Sequence, residues 1–359
     1  MFVSALGSIT GRDNRLALRR VDRASVLLVD GLGTLNLKAA GGHAPFLNSL
    51  LKTNPSIACG FPATTATSIT SFATGLSAGE HGIVGYQVYD REHTRQANLL
   101  SGWNETQVPE QWQPHPTVAE RAGADQLPCY VIGPAEYEGS GFTRITMRGA
   151  TYLPARTIAD RFERLAQLHR AGGAFLSYCY VPELDQIAHA KGVNSDAWLA
   201  LVEELDGQVR SFSGKLTRSD GFLLTADHGV IDVKPDRHFV LDELIDWPKD
   251  AIFSGDPRVG FVYQQGDSQP LRELLTEVLQ GVALVLSRDE VIAAGWYGSV
   301  VTEQTKLRLP ELFILATANI ALYHRGFSKP ASFRMVGHHG GLSIEELQVP
   351  LLRLGGYAC

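Results

Sequence analysis

Four short apolar runs, at residues 25–29, 129–133, 174–181 and 221–226, are each followed by turn-forming or polar residues and alternate with segments of helical period. The runs are continuous rather than alternating, which predicts strands buried on both faces, as in a parallel sheet. Between them, residues 116–122 predict a helix with proline in its first turn. Ile158, Phe162, Leu165 and Leu168 mark a second helix, and Trp198, Leu201, Val202, Leu205, Val209 and Phe212 mark a third. Strands alternating with amphipathic helices predict an α/β fold: a doubly wound, mostly parallel central sheet flanked by helices. Ligands in such sheets bind beyond the carboxyl ends of the strands. Asp30 follows the first run directly, and Asp227 with His228 follows the last. Asp185 and His189 come just after the third and, four residues apart, share one side of a helical turn. Each Asp-Gly or His-Gly step taken alone is equally compatible with an ordinary turn.

The stretch Phe61-Pro62-Ala63-Thr64-Thr65 leads into Ile69, Phe72, Ala73 and Leu76 at three- and four-residue steps, so a helix is expected to begin around residues 64–66 and to break at Gly75. A threonine there lies beside unpaired backbone N–H groups at the positive end of the helix dipole, a preferred place for phosphate. Thr65 is therefore a candidate nucleophile. Capping of the helix is the plainer role for these hydroxyls.

The remaining chain bounds the problem. With 32 basic and 38 acidic residues interspersed and a net charge of -6, there is no basic stripe for a polymeric nucleic acid. No apolar run is long enough to span a bilayer, and the N-terminal arginines do not resemble a secretory signal. Cys59, Cys129, Cys179 and Cys359 show no metal-type spacing and read as reduced structural thiols. A cytoplasmic protein is expected. Residues 91–116 are polar and aperiodic and read as a long loop near the site. Strands at 259–263, 282–286 and 312–316, with helices at 271–279 and 289–294, suggest a small α+β cap subdomain at 256–335, inserted in a core of residues 1–255 and 336–359. The histidines without partner spacing, among them His43, His93 and His169, read as ordinary surface or core residues.

Asp30, Thr65, Asp185, His189, Asp227, His228 and His339 together offer oxygen and imidazole ligands for two divalent metal ions, and zinc suits that mixture. A pair of zinc ions about 4 Å apart can stabilise both the attacking and the leaving oxygen of a displacement at phosphorus. His338 and His339 both stand in the glycine-rich turn, and Thr64 and Thr67 flank Thr65, so these alternatives stay open on spacing alone.

The segments Val26-Leu27-Leu28-Val29-Asp30-Gly31, Phe61-Pro62-Ala63-Thr64-Thr65 through Thr74-Gly75-Leu76, Glu80-His81-Gly82-Ile83, Asp185 with His189, Thr225-Ala226-Asp227-His228-Gly229 and His339-Gly340-Gly341 resemble the alkaline phosphatase superfamily. Within it the chain is most similar to the type I phosphodiesterase/nucleotide pyrophosphatase family. The resemblance implies that Asp185, His189 and His339 hold one zinc ion, and that Asp30, Asp227, His228 and Thr65 hold the other. It also implies a small-molecule phosphoester substrate and transfer in two steps through a phospho-threonine on Thr65. Where these phosphodiesterases often carry an asparagine after the His-Gly-Ile turn, this chain has Tyr86. Tyr86 and Asn104 are the candidates for binding the phosphoryl group in its place. A phosphomonoesterase, a phosphonate hydrolase, a sulfatase-like enzyme and a non-catalytic metal-binding module are the rival readings.

Overall fold

A computed structural model describes residues 1–103 and 108–358; Asn104 and Cys359 lie outside the described residues. The central sheet has six strands in the order Leu352–Gly355, Asp220–Thr225, Arg23–Val29, Phe175–Val181, Cys129–Gly133 and Thr151–Pro154. All neighbours pair in parallel except the edge strand Leu352–Gly355. Val29 lies opposite Val181 and Leu28 opposite Thr225, so the chain leaves these three adjacent strands at one level.

Successive residues of the central strand bury into opposite layers. Leu27 and Val29 join Phe162, Trp198, Val202 and Leu205 beneath the helices Ile158–Ala171 and Asp196–Ser213. Val26 and Leu28 join Phe2, Ile69, Phe72 and Val118 beneath Phe2–Thr10, Thr65–Thr74 and Val118–Ala124. Both faces are thus covered, which is why the run carries no polar alternation; each fully buried aliphatic side chain contributes about 1.5–3 kcal/mol. Local chemistry fixes the helix starts. Thr157 and Asp160 form a capping box, and Ser195 Oγ accepts the Trp198 N–H at 3.3 Å.

A second, antiparallel sheet comprises Ala251–Asp256, Val259–Gln264, Leu312–Ala316 and Ala283–Ser287, with helices Gln269–Val278 and Arg288–Ala293. Its expected strands and helices fall within two residues of their predicted places. Ala251–Asp256 was not apparent because Ser254, Gly255 and Asp256 interrupt its apolar pattern. Ser56–Ala58, ahead of the Thr65 helix, is also a strand, and it pairs antiparallel with Gln348–Pro350, apart from the central sheet. Part of the region expected as loop is ordered: Arg95–Asn98 pairs with Gln87–Asp90, and Pro109–Trp112 is helical. Cys59, Cys129 and Cys179 are free thiols, and burial pushes Cys129 and Cys179 up to about 12. Among the described residues no helix is long and apolar enough to cross a membrane.

Candidate metal centre and nucleophile

Asp30, Asp185 and Asp227 all emerge beyond the carboxyl ends of adjacent parallel strands, and each is at least nine-tenths buried. The turn after the first strand must pass close to its neighbours. Gly31 adopts φ +71°, where a Cβ would stand 3.0 Å from Asp185, and its N–H donates to Asp227 Oδ1 at 3.2 Å. This backbone fit brings the carboxylates of three strands to one place.

The histidines are aimed by the backbone. Nδ1 of His189 lies 2.8 Å from Gly337 O, that of His339 2.9 Å from Ala63 O, and that of His228 3.3 Å from Gly229 O. A carbonyl can only accept, so each Nδ1 carries the proton and each Nε2 lone pair is left for the site. That is the arrangement expected of metal-ligating imidazoles.

Two ligand groups result. Asp30, Asp227 and His228 offer atoms all within 4.8 Å of one another, and so do Asp185, His228 and His339. The rings of His228 and His339 stack at 3.6 Å. His189 approaches through Asp185, with Nε2 3.0 Å from Oδ2. His228 therefore stands between the two groups, whereas the sequence suggested a clean division. Asp185 Oδ1 and Asp227 Oδ2 are buried without a hydrogen-bond partner among the described residues. Orphaned carboxylate oxygens facing imidazole Nε2 atoms form a donor set that fits divalent zinc.

Thr65 is the first residue of its helix, and its Oγ1 lies 3.1 Å from His228 Nε2 and 3.5 Å from Asp30 Oδ1. The alternatives separate here. Thr67 donates to Ile83 O at 3.1 Å, and Thr64, which lines the cavity, has a buried Oγ1 without a partner among the described residues. His338 turns away to Tyr323 Oη at 2.7 Å, leaving His339 in the ligand group.

Burial dominates the electrostatics. It raises Asp30 well above its usual range, helped by the facing Asp227 and Asp185, and pushes Asp227 up to about 7, with Asp185 adding to the shift. Burial drives His228 down to about 3 and holds His339 well below the usual imidazole range, with the facing His228 adding to the shift. Burial also opposes the charge on His189, yet the Asp185 carboxylate outweighs it and holds His189 up at about 9. Asp30 and Asp227, which resist ionisation, are crowded against His228 and His339, which resist protonation, an unfavourable set that bound cations would relieve.

Several contributors escaped the sequence. Tyr180, on the strand beside Asp30, donates its hydroxyl to Asp30 Oδ2 in a short hydrogen bond. Glu346, fully buried, accepts the Gly341 N–H with Oε1 and the Gly229 N–H with its carbonyl, both at 2.8 Å, and so ties the two histidine turns together. Arg258 pairs with it at 3.1 Å. The first follows from the strand register that puts Tyr180 level with Leu28, which the sequence does not show. Tyr86 lines the cavity, and its hydroxyl is hydrogen-bonded by the Asn98 side chain. The cavity over Thr65 measures about 710 Å³ and is walled by Tyr178 and Tyr180 of the central sheet, Phe253 of the second sheet and Tyr323 of the strand Ala321–Tyr323.

A second serine–histidine–aspartate contact occurs at the opposite end of the central sheet. Ser25 Oγ is 3.0 Å from His169 Nε2, whose Nδ1 is 3.1 Å from Asp220 Oδ1. Ser25 is fully buried and also accepts from Ser177 Oγ, so this is a structural clasp rather than a nucleophile open to substrate.

Strand-end acids and histidines gathered on a mostly parallel sheet, beside a threonine at a helix start, place the chain in the alkaline phosphatase superfamily. The sequence profile of the type I phosphodiesterase / nucleotide pyrophosphatase family matches residues 25–342, and the chain belongs to that family. It is accordingly a phosphoester hydrolase of that type. Similar solved structures include murine ectonucleotide pyrophosphatase/phosphodiesterase 5, at 16% identity over 92% of this chain and 88% of that one, with a TM-score of 0.72. An inactive form of the murine protein is solved in complex with AMP. Phosphonoacetate hydrolase from Sinorhizobium meliloti 1021, solved with phosphonoformate, matches at 17% identity over 94% of this chain and 91% of that one, also with a TM-score of 0.72. At such identities the likeness is one of fold. No curated protein matches the chain by sequence.

Proposed function

We propose that the protein is a two-metal phosphodiesterase or nucleotide pyrophosphatase acting on a small molecule, with Thr65 as nucleophile. The observation that carries this reading is the position of Thr65 Oγ1, at a helix start and within 3.5 Å of both His228 and Asp30. Asp30, Asp227, His228 and Thr65 would hold one zinc ion, and Asp185, His189 and His339 the other. Bound zinc supplies Lewis acidity to the oxygens that attack and leave phosphorus.

The chain's own groups do the rest. The Thr65 hydroxyl proton faces two acceptors, the His228 Nε2 lone pair at 3.1 Å and Asp30 Oδ1 at 3.5 Å, which leaves an Oγ1 lone pair to face phosphorus. As Oγ1 bonds to phosphorus it gives up its proton, the ester bond to one alcohol breaks, the departing oxygen takes a proton and leaves as the alcohol, and a phospho-threonine diester forms. The N–H groups of Thr65, Ala66 and Thr67 precede the first intrahelical bond, Ser68 N–H to Thr64 O, and stabilise the charge on the phosphoryl oxygens. Water then displaces Oγ1, which yields the phosphomonoester and restores the hydroxyl. The Tyr86 ring flanks the phosphoryl group, with its hydroxyl held by Asn98.

The cavity volume favours a diester over a compact phosphonate, because about 710 Å³ is ample for two substituents. Residues 256–335 are taken as a cap subdomain, extended at its start by Ala251–Asp256, since Phe253, Tyr323, Phe327 and Met335 wall one side of the cavity. The buried free thiols Cys129 and Cys179 support a cytoplasmic location.

The test is hydrolysis of matched nitrophenyl phosphodiester and phosphomonoester substrates by zinc-loaded, chelated and Thr65→Ala protein. Zinc- and Thr65-dependent turnover that favours the diester is expected. Preference for the monoester overturns the substrate class, and turnover indifferent to zinc overturns the mechanism.

A further inference from the structure

The strand Ala251–Asp256 presents to the cavity two polar groups that this chemistry leaves unused. Ser254 is 4% exposed and Asp256 5%, and both line the cavity. Ser254 Oγ and Asp256 Oδ2 have no hydrogen-bond partner among the described residues. The Tyr86 backbone N–H faces the Asp256 carboxylate, whose Oδ2 is left without a partner. It also stands next to the reacting centre. A Cβ on Gly340, the residue after His339, would lie 3.0 Å from Asp256 Cβ.

Leaving a buried carboxylate oxygen and a buried hydroxyl unpaired is costly, and native structures tolerate it mainly where a ligand or water completes the bonding. The surroundings restrict what that ligand is. A carboxylate oxygen only accepts, while a serine hydroxyl accepts and donates, so the pair reads a group that carries at least one proton to give. Phe253, Leu322 and Tyr323 line the same stretch of cavity and limit solvation of that group.

We propose that Ser254 and Asp256 form a specificity subsite that binds a hydrogen-bond donor, a hydroxyl or an ammonium, on an alcohol substituent of the phosphodiester. The inference rests on the phosphodiesterase reading above and adds the chemistry of the substituent. A site built to bond a donor discriminates against an analogue that lacks it, because the analogue strands the buried acceptors.

The experiment compares kcat/KM for four nitrophenyl phosphodiesters of zinc-loaded full-length protein, with ethyl, 2-hydroxyethyl, 2-aminoethyl and 2-(trimethylammonio)ethyl as the second substituent. Wild-type protein is expected to favour a donor-bearing ester over the ethyl ester by roughly tenfold or more. The hydroxyethyl and aminoethyl arms identify which donor is used, and the trimethylammonium arm carries charge without a donor and should gain nothing. Asp256→Asn, which replaces an acceptor oxygen by an amide of the same shape, should collapse the selectivity ratio to near one, with Ser254→Ala lowering it in part. Thermal melts identify a variant that fails to fold, and the second variant then decides. Turnover of all four esters at similar efficiency by the wild type overturns the subsite alone. Equal preference for the trimethylammonium and aminoethyl esters replaces hydrogen bonding by charge and overturns it as well. Absence of turnover of every ester removes the phosphodiesterase reading, and the subsite with it.

Discussion

Arg258→Met should destabilise the protein strongly, and a second substitution should undo most of the damage. Arg258 is 1% exposed and Glu346 0%. The guanidinium donates to Glu346 at 3.1 Å and to the carbonyls of Ala318 and Ile320 at 2.7 and 2.6 Å. Replacing the arginine strands a carboxylate and two carbonyls in the interior. Breaking a buried pair from one side costs about 3–5 kcal/mol. An unfolding entropy of about 2.1 cal/mol/K per residue, taken over the 359 residues, comes to about 0.75 kcal/mol/K, so Tm should fall by about 4–7 °C. The double variant Arg258→Met, Glu346→Leu removes the stranded charge and should recover more than half of that loss. Because the Glu346 carboxylate also accepts the Gly341 N–H beside His339, removing its arginine partner should loosen the His339 turn and reduce zinc retained after dialysis. Calorimetry and metal analysis of the three proteins read both effects. A single variant that loses less than about 1 °C, or a double variant no better than it, would refute the reasoning.

Tyr180→Phe removes the hydroxyl that donates to Asp30 and should weaken zinc binding about 10–100-fold in a chelator competition, with little change in fold; unchanged affinity would remove Tyr180 from the account. His339→Ala should lower bound zinc, whereas His338→Ala, facing Tyr323, should retain it, and the reverse pattern would exchange their roles. Zinc uptake should release protons. In the metal-free protein Asp227 titrates near 7 and His189 near 9, so protons compete for both below those values, and apparent affinity should rise from pH 6 to 9. Calorimetry in buffers of different ionisation enthalpy measures the release, and a flat profile contradicts the assignment.

The parallel sheet and most of the acids and histidines gathered at its strand ends were legible because their physics is local. Strands covered on both faces write continuous apolar runs, and the acids that follow them fall at strand ends wherever the sheet is parallel. The Thr65 helix start was equally visible, since its apolar period and Gly75 bound it. What stayed hidden depends on partners distant in sequence. Tyr180 reaches Asp30 only because of strand register, and Arg258, in the turn before Val259–Gln264, meets Glu346 on the short helix Ile344–Leu347. Ala251–Asp256 hides its strand character because the residues that break its pattern, Ser254 and Asp256, face the cavity. The helix Phe2–Thr10 was missed because its buried face includes Ser4, Gly7 and Ser8, which carry no apolar signal.

The most direct measurement of the central claim is mass spectrometry of peptides from zinc-loaded protein quenched in acid during turnover of a nitrophenyl phosphodiester. A phosphodiester adduct on Thr65, absent from the Thr65→Ala protein and from chelated protein, is the predicted result. Turnover with no adduct on Thr65, or with the adduct on Thr64, would contradict the account.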